Sequence, residues 1–385
     1  MKLPAVMAVT ELPPFPHERC QMRKIFIHAG LHKTGTTSFQ NFCRYRRADL
    51  RARGLHYARL DFPGALDHPN HSFVVRHAYT AALQGDNAPR QDLLRELGRQ
   101  FESCDRMLLS AEDICSLPEA GKMLLLQDAR LLADELCFLF LVRHPRSYFQ
   151  SAIQEHVKGP RGVNFFDVPD DRLRAIIAHE WSTLFTSRLG FFRSRLLDEE
   201  LIVRTYEEAT TSPEGVIGYL LENCLRLRLP PGACRSMPSS NASLSHETVL
   251  LVSALKGLGL DATNVKAAAL PYKIYFGHPL GGCRHAFASA VEHRLPPISG
   301  ELEWLKVSFG IDYDPDAVVF DRIDLARLWS PNYITSLLGF ARDSLDRDER
   351  LLVAAALDFV AAQQPVEPPQ AEALAAASRQ LRSSG

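Results

Sequence analysis

The chain has no run approaching the roughly 20 apolar residues of a membrane span, and its 44 basic and 45 acidic residues leave a net charge of only −1. No global basic field would draw it to nucleic acid, and a nucleic-acid partner is not expected. The R-x-R clusters at 44–53 and 193–195 read as solvated helix faces. Its eight cysteines are scattered, without a C-x-x-C pair and without a histidine at metal-ligand spacing. A zinc module and a disulfide framework are therefore not expected, and a reducing compartment is the simpler inference. The N-terminal segment M-K-L-P-A-V-M-A-V-T-E-L-P-P is too short in apolar residues, and too broken by proline, for a signal peptide. A cytoplasmic location without a transmembrane segment is expected. No internal repeat is visible, and oligomeric state cannot be read from these residues.

What is present concentrates in residues 25–40, I-F-I-H-A-G-L-H-K-T-G-T-T-S-F-Q. An apolar strand runs into a loop holding Gly30 and Gly35, then into a helix opening with Thr36, Thr37 and Ser38. Glycine lets the backbone turn tightly, and the free N–H groups and dipole of the helix N-terminus favour an anion. Phosphate or sulfate is the expected occupant. Gly30 and Gly35 have the G-x-x-x-x-G spacing of the nucleoside-triphosphate P-loop, but Thr36 stands where that motif requires lysine. Lys33, the only lysine in the loop, precedes the second glycine. No hydroxyl follows a lysine in the Mg²⁺-binding position, so a metal-assisted kinase is the alternative and no metal is expected. An ordinary strand-turn-helix, with Gly and Thr serving only the turn and cap, is the bland reading.

A second segment, F-L-F-L-V-R-H-P-R-S-Y-F-Q-S from residue 138, is a buried strand, Arg143, and a helix beginning near Pro145. Ser147 and Ser151 share one face of that helix. Arg143 and Ser151 can converge on one dianionic phosphate, which an arginine fork plus a hydroxyl suits.

The first loop resembles the 5′-phosphosulfate loop of the sulfotransferase family, in the H-x-G-x-H-K-T-G-T-T-S form of bacterial, carbohydrate-type members. The second resembles that family's 3′-phosphate site, an Arg closing a strand with a Ser eight residues on. The resemblance covers 23–157. It implies a P-loop-like three-layer α/β fold around a central parallel sheet. It also implies 3′-phosphoadenosine 5′-phosphosulfate (PAPS) as donor co-substrate, bound by Lys33, Thr34, Gly35, Thr36, Thr37, Ser38, Arg143 and Ser151. The reaction implied is sulfuryl transfer to an acceptor hydroxyl, of a glycan or glycolipid. Lys33 is expected to neutralise charge on the leaving oxygen. Glu112, in L-L-S-A-E-D-I, is expected as base; Glu112 or Asp113 capping the next helix is the alternative. His71 and His32 are the rival bases. A degenerate nucleotide-binding scaffold without a working base is the nonenzymatic alternative. Arg204-Thr205-Tyr206-Glu207 and Ser240-Asn241-Ala242-Ser243-Leu244-Ser245 echo family elements more loosely. A helix start with a core tyrosine, and an N-cap, explain those two segments as well.

Strands at 106–109, 137–142 and 201–204 alternate with helices at 89–104, 118–134, 146–157, 172–189 and 213–225, which specifies a parallel sheet covered on both faces. The expected organisation is a flexible leader (1–22), an α/β core (23–230), and a helical substrate-side extension of the same domain (231–365). Helices at 246–257, 331–345 and 347–363 fall in that extension, and a frayed tail (366–385) completes the chain.

Overall fold

A computed structural model describes residues 22–61, 69–158, 175, 177–180, 184–234, 245–258, 269–271, 273–274, 297–317, 327–363 and 368–383. The proline-rich leader, the stretch 159–170 and residues 240–244 lie outside these, as do residues 172–174, 176 and 181–183 of the expected helix 172–189.

Five strands form one all-parallel sheet in the order β2-β3-β1-β4-β5. They are β1 (Lys24–His28), β2 (His56–Tyr57), β3 (Arg106–Ser110), β4 (Glu135–Val142) and β5 (Leu201–Thr205). β4 is apolar through almost its whole length and buried from Leu136 to Val142, as a central strand covered on both faces must be. β1 lies in the middle, with β3 and β4 on either side in register Ile27↔Leu109 and Ile27↔Phe138. The connections therefore leave β1 and β4 toward opposite edges. A crevice forms at such a switch point, beyond the strands' C-terminal ends, and ligands of parallel sheets bind there.

Helices cover both faces. One side holds α1 (Thr36–Tyr45), α2 (Arg47–Ala52) and the segment after β5, packed through Phe39, Phe42, Leu50 and Leu220 onto Phe26, Leu108 and Leu139. The other holds α3 (Ser72–Leu83), α4 (Ala88–Phe101) and α5 (Glu119–Leu132), and later α7 (Phe185–Arg193). These pack on Ile25, Ile27, Leu109 and Phe138. α6 (Pro145–Lys158) starts directly after β4. The helix expected over 213–225 is present as α9 (Gly215–Tyr219) continued by a wider helical turn over Leu220–Cys224; before it comes a separate short helix, α8 (Tyr206–Thr211), capped by the Thr205 hydroxyl, which accepts from Glu208 N–H.

The C-terminal region divides in two. Leu305 of α11 (Ser299–Phe309) joins the core on the α5–α7 side of the sheet. By contrast α10 (His246–Gly257), α12 (Pro331–Ser344), α13 (Arg347–Gln363) and α14 (Pro368–Ser383) bury a separate core around Leu251, Tyr333, Leu357 and Leu374. α14 corrects the frayed tail expected for 366–385. Leu374, Ala377 and Leu381 form an apolar stripe that is buried. Ser378 Oγ donates to Ala354 O at 3.2 Å and Arg382 pairs with Asp358 at 2.6 Å. Prolines suggested an end, but Pro368 stands in the first turn, where proline starts helices. Among the described residues no helix is long and apolar enough to cross a membrane.

Candidate active site

The loop after β1 has two residues in the left-handed region, Lys33 (φ 67°) and Gly35 (φ 82°). That conformation is free to glycine but costs a lysine roughly 1–2 kcal/mol, so Lys33 is held there by its surroundings. The Thr34 hydroxyl is buried and donates to Leu31 O at 2.6 Å. Gly35 is the N-cap residue of α1, and a Cβ there would lie 3.2 Å from Val216 Cγ1. Gly30 is constrained differently: its Cβ would lie 2.8 Å from His28 Nε2 and 2.9 Å from Thr36 Cγ2. Thr36 is buried, while Thr37 and Ser38 of the same first turn are partly exposed.

The segments after β1 and β4 meet. Arg143, one residue past β4, donates from Nη1 to Lys33 O at 3.1 Å, and its guanidinium stands 4.9 Å from the centre of the Tyr206 ring. Glu207 accepts from His144 N–H at 3.0 Å and from the Tyr313 hydroxyl at 2.7 Å. Tyr206 and Glu207, the two most informative residues of the R-x-Y-E stretch, thus both support the loop between β4 and α6. Ser151 lies two turns along α6 and is partly exposed.

Glu112 opens a 3-10 turn (Glu112–Ser116) after β3 and does not cap it; Ala111 is the N-cap residue. Its carboxylate reaches across to the first loop instead. Oε2 accepts from Thr36 Oγ1 at 2.6 Å and lies 3.4 Å from His32 Nδ1. Oε1 accepts from Asn70 Nδ2 at 3.3 Å. Burial pushes this carboxyl up, but His32 and the Thr36 hydroxyl stabilise its anion more, and it sits below the ordinary carboxylate value. His32 Nε2 lies 3.7 Å from Asp113 Oδ1, at the partly exposed mouth of the loop.

His71 is placed behind this layer. Its ring is 1 % exposed, Nδ1 accepts from Ser110 N–H at 3.1 Å, and the ring stacks on Tyr57 with centroids 4.8 Å apart. This is a positioning contact at the end of β3. At the end of β1 stands a residue given no role by sequence reasoning, His28, whose Nδ1 is 2.8 Å from Ser110 Oγ on β3. Gln40 Nε2 donates to the same hydroxyl at 3.1 Å. A histidine closing an apolar strand was the available signal for His28. Asn70 and Tyr313 had none.

Burial lowers His28 to about 4, with nearby Glu112 opposing the shift, so the ring is neutral at pH 7. The unfolded chain takes up that proton near the ordinary value of 6.5, the folded protein only near 4. The stability from keeping His28 neutral is therefore complete above about pH 6.5 and is lost as pH falls toward 4, by roughly 3 kcal/mol. Desolvation lowers His246, which is partly exposed, to about 4 as well. His28→Gln should consequently flatten, without abolishing, the fall of Tm between about pH 7 and about pH 4. An unchanged slope would mean that His28 does not carry this share.

Two surface cavities of about 440 and 450 Å³ lie away from these residues, beside Phe42 and Arg46 and beside Trp329 and Ile334. Among the described residues no group of His, Cys, Asp and Glu is arranged to hold a metal ion. Comparison with protein-family models, with curated proteins and with solved structures finds no match to this chain.

Proposed function

We propose that the crevice binds PAPS and that the chain transfers its sulfuryl group to an acceptor hydroxyl, of a glycan or glycolipid. The observation that carries this reading is the junction of Arg143 with the carbonyl of Lys33, which brings two anion-binding segments together over adjacent strand ends. A nucleotide with phosphates at both its 5′ and 3′ positions needs two such sites a ribose apart. The α1 N-terminus and the loop N–H groups would hold the 5′-phosphosulfate, and Arg143 with Ser151 the 3′-phosphate. Lys33 would meet charge growing on the leaving oxygen as the S–O bond to the nucleotide breaks in line with the new bond. Glu112, ionised and beside Thr36, is the better placed of the proposed bases to take the acceptor proton, since the His71 ring is buried in the frame behind it. The P-loop-like identity of the α/β core belongs to the same proposal.

Binding of 3′,5′-bisphosphoadenosine, followed by calorimetry, tests the donor class directly. Micromolar or tighter binding, with adenosine triphosphate at least tenfold weaker, is the expected result. A preference for the triphosphate would favour the kinase reading. Bisphosphate binding without turnover on a panel of hydroxyl acceptors would favour the degenerate scaffold. Metal dependence gives a second check. The positive charge that Mg²⁺ supplies in kinases would here come from Lys33 and the backbone, so sulfuryl transfer should survive EDTA undiminished. Loss on chelation with rescue by Mg²⁺ would overturn the assignment.

A further inference from the structure

α3 carries a phenylalanine on the side of the helix that faces water. Its buried residues, Ser72, Val75, Ala78 and Tyr79, form a core-facing stripe. Phe73 and Arg76 fall off that stripe, and Phe73 is 57 % exposed. A single exposed apolar side chain is ordinary, but this ring ends a run of contacts that begins at Glu112. Glu112 Oε2 lies 3.4 Å from His32 Nδ1, and His32 Nε2 lies 3.7 Å from Asp113 Oδ1. Asp113 Oδ2 is in turn 3.6 Å from Arg76 Nη1, and the Arg76 guanidinium stands 5.4 Å from the centre of the Phe73 ring. Ser72 Oγ accepts from Asp113 N–H at 3.2 Å, which fixes the start of α3 against the turn after β3.

The run passes from inside to outside: Glu112 and Asp113 are partly buried, while Arg76 and Phe73 are exposed. Its outer end offers three kinds of group side by side, an aromatic ring, a carboxylate that accepts and a guanidinium that donates. Asp113 and Arg76 stand beyond direct hydrogen-bond range of each other at 3.6 Å. An exposed pair of this kind gains little from its own attraction, so both heads can turn to a ligand at small cost.

We propose that Phe73, Arg76 and Asp113 form a subsite for a neutral pyranose ring of the acceptor. The inference rests on the sulfuryl-transfer reading above and narrows the acceptor hydroxyl to one on a neutral sugar. A pyranose has an apolar face of C–H bonds and a rim of hydroxyls. The slightly positive C–H face packs on the negative face of a phenyl ring. A carboxylate and a guanidinium held close together accept from one hydroxyl and donate to its neighbour, which adjacent sugar hydroxyls satisfy. Charge selects against a uronate. Two carboxylates, Glu112 and Asp113, border the path, against one guanidinium that already stands beside Asp113.

The test uses the full-length protein with PAPS and a panel of neutral methyl glycosides, with binding of 3′,5′-bisphosphoadenosine followed in parallel. Phe73→Ala should raise the acceptor KM about 3- to 30-fold while kcat and bisphosphoadenosine affinity hold, and Phe73→Trp should restore the KM. Tyr45→Ala, which removes another exposed ring from α1 on the opposite face of the sheet, should leave the KM unchanged. A methyl glucuronide should be at least about tenfold poorer in kcat/KM than its neutral counterpart, a gap that Asp113→Asn narrows. In the bisphosphoadenosine complex, magnetisation transferred from protein to glycoside should reach the C–H protons of one sugar face and be lost in Phe73→Ala, a readout that needs no turnover. A Phe73→Ala variant with the wild-type KM, or a preference for the uronate, would overturn the subsite. So would a wild type that binds bisphosphoadenosine yet neither sulfates nor binds any neutral glycoside, and in all three cases the donor reading stands. Absence of bisphosphoadenosine binding would remove the donor reading and the subsite together.

Discussion

Arg143→Ala should weaken binding of 3′,5′-bisphosphoadenosine by roughly 2–4 kcal/mol, about 30- to 1,000-fold, because an arginine-phosphate contact is charge-assisted. The structure refines what the comparison ligand must show. Arg143 also ties down Lys33 O and stacks on Tyr206, so its removal loosens the first loop and weakens every anionic donor somewhat. Adenosine 5′-phosphosulfate, which lacks the 3′-phosphate, should therefore lose affinity too, but by at least tenfold less. Ser151→Ala isolates the site more cleanly. Ser151 touches none of the first loop's hydrogen bonds described above, so its loss of roughly 1–2 kcal/mol should fall on the 3′-phosphorylated ligand alone. Equal losses for both ligands in both variants, measured calorimetrically, would remove Arg143 and Ser151 from the 3′-phosphate.

Glu112→Gln should lower turnover by roughly 10²-fold or more while donor affinity changes little. The introduced amide can still accept from Thr36 Oγ1, which keeps the start of α1 in place. It can no longer accept a proton. Asn70 adds a constraint. Its Oδ1 accepts from Ser72 N–H at 2.8 Å, so its amide nitrogen faces Glu112. In the variant that nitrogen would meet another N–H donor if the introduced amide turned its own nitrogen to that side. The variant should settle with its oxygen shared between Thr36 and Asn70. His71→Ala gives the contrast. Removing a buried ring stacked on Tyr57, together with an acceptor for Ser110 N–H, should cost about 2–4 kcal/mol of stability and leave kcat of the folded protein near wild type. A loss of kcat in His71→Ala without a fall in Tm would transfer the role to His71. His32→Gln distinguishes the last candidate, since His32 is the histidine at the open mouth of the loop. If both Glu112→Gln and His71→Ala keep wild-type turnover, the acceptor does not sit over these strand ends.

The sheet was legible because its strands are short apolar runs between amphipathic helices, each ending at a polar residue. β4 is the clearest case: an unbroken apolar run from Leu136 to Val142, stopped by Arg143. The junction of Arg143 with Lys33 was legible only as shared placement at strand ends. The hydrogen bond itself depends on register between β1 and β4, which no local pattern encodes. Glu112 was singled out by its position after a strand, but its contact with Thr36 required knowing that β3 lies beside β1. His71 shows the limit of a local reading from the other side. A histidine among Pro and Asn resembles a site residue locally, yet the chain returning along β2 buries its ring against Tyr57. α14 was misread because proline and serine near an end weigh against helix only when no partner surface waits, and α13 supplies one.

Tyr313 carries a consequence for how the chain reaches this state. Its hydroxyl touches Val142 O at 3.2 Å and Glu207, while Asp314 O lies 3.1 Å from His144 Nε2. The loop after β4 is therefore finished by residues some 170 positions further along. Parallel strands already require long excursions before each pairing is rewarded. During synthesis the sheet, complete by residue 205, can assemble before the segment around residue 313 has been made. The β4–α6 loop then waits, without its Tyr313 and Asp314 contacts, for about a hundred further residues to be added. At roughly 5–20 residues per second that interval is on the order of ten seconds, during which the nascent chain exposes an unfinished edge to whatever chaperone or anion reaches it first.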